Sequence, residues 1–343
     1  MSAFYKLKVK NIRKETQNSI ALSFEIREDL ISVFQYLPGQ YVSLKLTINN
    51  KEVLRDYSIC SSKNEGLTIA VKEIPNGYVS SFLNNSINIG DTILVSAARG
   101  KFILDTISGQ ASIGIAAGSG ITPIMSMLKT TLFHSSNSFH LIYSNKSPQE
   151  TMFLSELYEL KEKYPERFFV TLAYTQKKVD NHFFGRINEA NIFSLINVSN
   201  LSKNKIYICG PEKMLFEVKL GLEKKNVLEK NIYYELFKSS QENKVTISKS
   251  GDVEITFIVD DYSTKIKSTK QKTVLDSALD NDIDAPYSCN GGVCGSCIGK
   301  IIKGEVKMMK NTVLTDSELS DGLILACQAI PLSDTIEVDF DDV

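Results

Sequence analysis

Between Tyr5 and about Asp105, apolar and polar residues alternate in short runs separated by turn residues. In "IALSFEI" the alternation puts Ile20, Leu22, Phe24 and Ile26 on one face. "VSLKL" does the same with Val42, Leu44 and Leu46, and "LTIAV" with Leu67, Ile69 and Val71. A period of two marks half-buried strands, so this region reads as a small antiparallel barrel, with "VSSFLNNS" its one helical stretch. From about Ala111 the pattern changes. "SIGIAAG", "FHLIYS", "FFVTLAY", "KIYICG" and "IYYELF" are continuous apolar runs, whereas "PIMSMLKTTL", "FLSELYELKEKY" and "EKMLFEVKLGLEKK" between them carry helical spacing. That alternation predicts a parallel sheet covered on both faces. The polar "KSSQENKVT" reads as a linker. Beyond it, "DVEITFIVD", "GKIIKGEV" and "TIEVDF" read as strands, and "KTVLDSALDNDIDAPYSC" as a short helix with Leu275, Ala278 and Leu279 on one face. The expected domains are 1–106 (barrel), 107–237 (α/β), a linker over 238–246, and 247–343.

A chain of 343 residues fits this multidomain reading, because single cores stop growing near that size. Its 39 lysines and arginines against 40 acids leave a net charge of -1, which supplies no field for nucleic acid or anionic lipid. The N-terminal "MSAFYKLKVKNIRKE" lacks an apolar h-region. The most apolar run, "ASIGIAAGSGITPIM", is cut by three glycines and a proline. We therefore expect a soluble cytoplasmic protein that binds no membrane and no nucleic acid.

Four of the six cysteines follow residue 285, a skew that suits a metal site better than a disulfide scaffold. Cys289, Cys294 and Cys297 form C-x4-C-x2-C, and Cys327 follows after 29 residues. This is the spacing of plant-type [2Fe-2S] sites. One tight loop brings thiolates to the irons from one side and a distant segment closes the other. Gly291, Gly292 and Gly295 free the backbone so that its N–H groups can face the sulfurs. Structural zinc would favour paired C-x2-C knuckles.

Four further segments carry weaker signals. In "LRDYSIC", a strand puts Arg55 and Tyr57 on one side and Ser58 on the other, so that a planar ligand can lie on the Tyr57 ring while Arg55 reaches its phosphates. Cys60 is expected to pack in the barrel. "VKEIPNGYVSSFL" turns at Gly77 and presents Val79, Ser80 and Ser81 at a helix start, which suits phosphate. "AAGSGITPIMSML" reads as strand, glycine turn and helix: Gly118 and Gly120 admit a pyrophosphate, Thr122 is the expected N-cap and Pro123 the first helical residue. It departs from the Rossmann fingerprint at Pro123 and lacks an acid about 20 residues on. "YICGPEKML" ends a strand at Cys209, Gly210 and Pro211.

In this order the segments resemble the ferredoxin-NADP reductase superfamily over residues 1 to about 237. Residues from about 244 to 343 resemble a plant-type ferredoxin domain, with its "APYSC" lead-in and "ACQ" exit. The whole chain resembles the members that carry a C-terminal ferredoxin module, and above all the reductase subunits of phenylacetyl-CoA epoxidases and related oxygenases. The resemblance implies a flavin-binding antiparallel β-barrel, an α/β nucleotide-binding domain and an α+β, β-grasp-like ferredoxin domain. It places FAD, in preference to FMN, on Arg55, Tyr57, Ser58 and Ile59, with Val71, Lys72, Gly77, Val79 and Ser80 beside the pyrophosphate. NADPH or NADH falls on Gly118, Ser119, Gly120, Thr122 and Pro123, with Asn145 and Lys146 near the adenosine and Cys209, Gly210 and Pro211 near the nicotinamide. Lys146 stands where relatives often have arginine, and Lys177 and Lys178 are further candidates for a 2′-phosphate, so the choice of nucleotide stays open. Ser58, Cys209, Glu235 and Phe237 take the catalytic positions, the last two in "YYELF".

The expected activity is electron transfer from NAD(P)H through FAD and the [2Fe-2S] cluster to a protein acceptor, an oxygenase component. A flavin is needed because nicotinamide gives two electrons together and the cluster takes one at a time. A hybrid-cluster protein or a Rieske-type oxygenase is the alternative acceptor. A non-enzymatic iron-sulfur module would not need the flavin and nucleotide segments. A hydrolase has no support, since His134, His140 and His182 lie in no motif and no G-x-S-x-G elbow occurs.

Overall fold

The structure is a computed structural model that describes residues 3–75, 77–105, 111–196, 204–236, 251–259, 261–283, 285–287, 291–292, 297–311 and 313–342. The chain divides into two compact units, Ser2–Phe237 and Lys238–Val343. Both the predicted linker, 238–246, and Phe237 lie outside the described residues.

The first unit opens with β1 (Phe4–Thr16), β2 (Ser19–Glu25), β3 (Tyr41–Ile48), β4 (Lys51–Ser58), β5 (Thr68–Lys72), α1 (Tyr78–Asn85) and β6 (Thr92–Ser96). The strands pair antiparallel in the order β4-β3-β6-β1-β2-β5, and an Ile59–Ile69 bridge brings the end of β4 to β5 and closes the ring. The alternation read from sequence is the inner face. Ile20, Leu22, Phe24, Val42, Leu44, Leu46, Leu67, Ile69 and Val71 share one buried core, which Val79 and Leu83 of α1 join. Irregularities in the β1–β2 register between Val9 and Asn11, and between Lys14 and Thr16, let one long strand serve two partners by bending.

Next come β7 (Ser112–Ala117), α2 (Ile121–His134), β8 (Phe139–Asn145), α3 (Leu154–Lys163), β9 (Phe168–Tyr174), β10 (Phe183–Phe184), α4 (Ile192–Leu195), β11 (Lys205–Gly210), α5 (Glu212–Lys224) and β12 (Ile232–Leu236). All six strands are parallel, in the order β10-β9-β8-β7-β11-β12. Strand order reverses at the β7–β11 pair, where open α/β sheets bind ligands. β10 and α4 escaped the sequence reading because neither is long enough to show a period. Every residue of α2 from Ile121 to Leu132 is buried, since the helix lies between the sheet and the barrel. Cys60 corrects an expectation: it packs with Ala21, Ala70, Phe102 and α2 in this second core and not inside the barrel. Tyr57 and Ile59 face the barrel core, so the alternation along the chain turns Ser58 and Cys60 to the opposite side.

The second unit contains β13 (Asp252–Val259), β14 (Tyr262–Thr269), α6 (Val274–Leu279), β15 (Ile298–Lys303), β16 (Val306–Met308), α7 (Asp316–Ser320), β17 (Leu323–Leu325), β18 (Ala329–Pro331) and β19 (Thr335–Asp339). A mixed sheet runs β14-β13-β19-β15-β17, with β13 and β19 parallel, beside a β16–β18 ribbon. Helix α6 is capped by Thr273, whose hydroxyl accepts the Asp276 N–H at 3.0 Å, and buries Leu275 and Ala278 against the sheet. β14 has mostly exposed residues on both faces, so as an edge strand it carries no apolar stripe to read.

Candidate active site and cluster loop

Strand β4 delivers the barrel's contribution. Its register opposite β3 pairs Arg55 with Leu44, Tyr57 with Val42 and Ser58 with Tyr41. Tyr57 is half-buried against the barrel core. Arg55 is exposed, and its Nη1 donates to the Leu54 carbonyl at 2.6 Å. Between them, Asp56 accepts a 2.5 Å hydrogen bond from Ser43, whose hydroxyl accepts in turn from Arg99 Nη2 at 2.6 Å. Sequence reading passed over this network because its members are scattered along the chain.

Ser58 meets residues from the far end of the same unit. Its hydroxyl lies 3.4 Å from Glu235 Oε2 on β12, and Glu235 pairs in register with Cys209 on β11. Three of the four residues assigned catalytic positions are thereby gathered at one place. Burial pushes the Glu235 carboxyl up to about 8, a rise that Ser58 opposes and Asp56 reinforces. Burial likewise raises the Cys209 thiol well above its ordinary value, and Glu235 adds to the rise. Cys209 is therefore a neutral group at the sheet's carboxyl edge, with no thiolate for nucleophilic attack.

The glycine turn differs in detail from its expected form. Gly118 takes φ +55° and opens a 3-10 turn, Gly118–Gly120, so that α2 starts at Ile121 with Gly120 as its N-cap. Thr122 is thus not the cap: its hydroxyl donates to the Ser119 carbonyl at 3.1 Å. Pro123 falls at the third helical position, still within the first turn, where its missing N–H has no partner to lose. A side chain on Gly120 would put Cβ 2.2 Å from the Cys209 carbonyl oxygen, so the close packing of turn and sheet requires glycine there. Above Gly118, by contrast, a Cβ would meet nothing within 4 Å. Beside this open ground the Asn145 amide is buried with neither polar atom hydrogen-bonded among the described residues. An open turn at the carboxyl end of β7, the strand beside the point of reversal, fits a dinucleotide.

At the start of α1, Gly77 is the N-cap and Ser80 Oγ accepts the Ile74 N–H at 3.0 Å, closing the turn. Ile59, Val71 and Val79 point into the barrel core, which leaves only their backbone for a ligand. Lys72 and Lys146, expected at the two different dinucleotides, share one carboxylate: Glu150 Oε2 lies 3.5 Å from the first and 3.7 Å from the second. Pro211 caps α5 immediately after Gly210. Lys177 and Lys178 are exposed, His134 is exposed, and His140 stacks on Phe169.

In the second unit, Cys297 leads into β15 and Cys327 follows β17. The pairing of Ile298 with Leu325 and the Ala326 N–H bond to the Cys297 carbonyl, 2.9 Å, bring these two segments side by side. Both cysteines are buried. Gln328 Nε2 donates to Cys327 Sγ at 3.4 Å. Gly292 adopts φ +74°, and a Cβ there would come within 2.8 Å of the Gln328 side chain. Cys289 and Cys294 lie outside the described residues. Buried thiols with an amide N–H directed at sulfur suit a thiolate-held cluster.

Three family descriptions match the chain: oxidoreductase FAD-binding domain over residues 6–103, oxidoreductase NAD-binding domain over 115–219, and 2Fe-2S iron-sulfur cluster binding domain over 257–332. One component of the 1,2-phenylacetyl-CoA epoxidase of Escherichia coli (strain K12) is 34% identical, with 99% of each chain covered. The ferredoxin reductase component of the 3-ketosteroid-9-alpha-monooxygenase of Mycolicibacterium smegmatis is 31% identical, covering 98% of this chain and 97% of the relative. Among solved structures, phthalate dioxygenase reductase shares the fold with a TM-score of 0.66 over 98% of both chains at 23% identity.

Proposed function

The chain belongs to the family of oxygenase reductases that join FAD-binding, NAD-binding and 2Fe-2S domains, and on that footing we propose that it passes electrons from NAD(P)H to the oxygenase component of a phenylacetyl-CoA epoxidase. The meeting of Ser58 with Glu235, in register with Cys209, carries the reading of the active site. The full-length likeness to the epoxidase component supports the choice of partner.

FAD when bound supplies the exchange between two-electron and one-electron chemistry. The chain's own residues position and tune. Tyr57 offers a ring face for the flavin plane, and Arg55 is free to swing from the Leu54 carbonyl to a phosphate. Lys72 and the N–H groups that open α1 would hold the pyrophosphate. Gly118, Ser119 and Gly120 would hold the nicotinamide dinucleotide close to the sheet, and Asn145 would offer its buried amide to it. Cys209 gives an uncharged, compact surface beside the nicotinamide. Glu235 holds a proton within reach of Ser58 Oγ below a pH of about 8. Cys289, Cys294, Cys297 and Cys327 hold the [2Fe-2S] cluster. The domain limits, 1–106, 107–237 and 247–343, and a cytoplasmic site of action belong to the same proposal. No helix among the described residues is long and apolar enough to cross a membrane.

Reconstitution tests the partner. With the oxygenase subunits of a phenylacetyl-CoA epoxidase, NAD(P)H oxidation should become dependent on phenylacetyl-CoA. Coupling instead to a Rieske-type oxygenase or a hybrid-cluster protein alone would reassign the acceptor and leave the reductase chemistry in place.

A further inference from the structure

Away from Ser58 and Glu235, a charged cluster joins the barrel to the nucleotide sheet. Lys129, in the middle of α2, is buried, yet its ammonium contacts Glu65 at 3.0 Å and also Glu156 of α3. Arg13 of β1 reaches the same Glu156 at 2.8 Å and Glu15 at 2.8 Å. Glu15 then accepts the backbone N–H of Phe153 at 3.0 Å. Phe153 is the N-cap of α3, in the left-handed region with φ +59°. One turn before Lys129, Ser126 donates to the Ser61 carbonyl at 2.7 Å.

The placement of these bonds matters more than their number. Ser61 and Glu65 follow Ser58 by three and seven residues on the segment that leaves β4, whereas Ser126 and Lys129 lie on the helix that the Gly118–Gly120 turn begins. A helix is stiff, and Lys129 is only about 14 Å along it from Gly120. The segment proposed to touch the flavin is therefore bonded directly to the helix that carries the nucleotide turn.

We propose that Lys129 is a positioning residue for hydride transfer: by pinning α2 to Glu65 and Glu156 it fixes the distance between the nucleotide turn and the flavin strand. This rests on the site reading given above. An exposed ion pair of this kind would contribute little. Lys129 is buried and has two acid partners from different elements, and because Arg13 also holds Glu156, removing the Lys129 charge chiefly cuts the link between α2 and Glu65. Reacting atoms must approach to about 3–3.5 Å, and a shift of about 1 Å costs on the order of 10²-fold in rate.

The test uses the full-length, FAD-loaded protein. The limiting rate of flavin reduction at saturating nucleotide, the nucleotide Kd, the FAD-to-protein ratio and the melting temperature are measured for wild type, Lys129→Met and Lys129→Arg. Lys129→Met should lower the limiting rate by roughly tenfold or more while Kd and FAD content stay within about threefold, with a primary deuterium isotope effect on the slowed step. Lys129→Arg should restore most of the rate. A FAD-loaded Lys129→Met variant with a wild-type limiting rate overturns the proposal. If that variant does not fold, Glu65→Gln, which removes only the barrel-side charge, decides on the same criterion. Failure of the underlying site reading would look different: a wild type that neither NADH nor NADPH reduces.

Discussion

The Ser58 hydroxyl and the Glu235 carboxylate lie 3.4 Å apart although 177 positions separate them in the chain. The contact joins the last strand of the barrel's β3–β4 hairpin to the edge strand of the parallel sheet. An acid in that position is set up to titrate in the working range, because burial raises it to about 8.

The rate of flavin reduction by NAD(P)H should fall as pH rises through about 8, as Glu235 loses its proton. Glu235→Gln should flatten this dependence and cost on the order of 10² in rate. Stability should fall with pH as well, because a carboxyl raised in the folded state makes folding progressively less favourable from its unfolded pKa up to about 8, and the full penalty persists above that. Glu235→Gln should therefore melt higher than wild type above neutral pH, as followed by thermal scans across pH 5–9. A pH profile unchanged by the substitution would remove Glu235 from the proton path.

Gly120→Ala tests the packing of the nucleotide turn. Its Cβ would meet the Cys209 carbonyl oxygen at 2.2 Å, a backbone atom that cannot rotate away. The turn must lift, at a cost of about 1–3 kcal/mol and a melting temperature lower by several degrees. The KM for the nicotinamide nucleotide should rise on the order of tenfold, with flavin content unchanged. Equal KM values would place the nucleotide elsewhere.

Cys327→Ser should separate the two halves of the electron path. Cys327 is a buried thiol beside the Gln328 amide in the second unit, remote in sequence from the flavin residues. The variant should lose the visible and electron paramagnetic resonance signals of the cluster and most reduction of one-electron acceptors. Flavin bleaching by NAD(P)H should persist within about twofold, because the residues proposed for it belong to the other unit.

Arg55→Ala should weaken flavin retention without unfolding the barrel. Its side chain is exposed and bonds only to the neighbouring Leu54 carbonyl among the contacts described, so little stability depends on it. Losing a charge-assisted bond to phosphate costs about 1.5–3 kcal/mol, which corresponds to roughly 10–100-fold weaker FAD binding, read as flavin released on dilution. A variant that holds FAD as tightly as wild type would free Arg55 of this role.

Much of the architecture was legible because the patterns involved are local. Period-two alternation in β2, β3 and β5 needs only neighbours to declare an inner face, and the C-x4-C-x2-C loop states its chemistry by spacing alone. β14 and β10 stayed hidden for the same reason: one is a polar edge strand and the other spans two residues. Thr122 was misplaced as a cap because the 3-10 turn that starts α2 earlier depends on how Gly120 fits against Cys209, a contact between segments far apart in sequence.

From the amino-acid order alone came the three domain types, the cofactors they imply and the candidate residues of the proposed site, since strands, glycine turns and thiolate spacing are short-range properties. Tertiary structure alone decided that Ser58 faces Glu235, that Cys60 packs at the seam and that Lys129 is buried between two acids. Burial, and the shifts in proton affinity that follow from it, come from the surroundings of a side chain, and chain order does not record those surroundings.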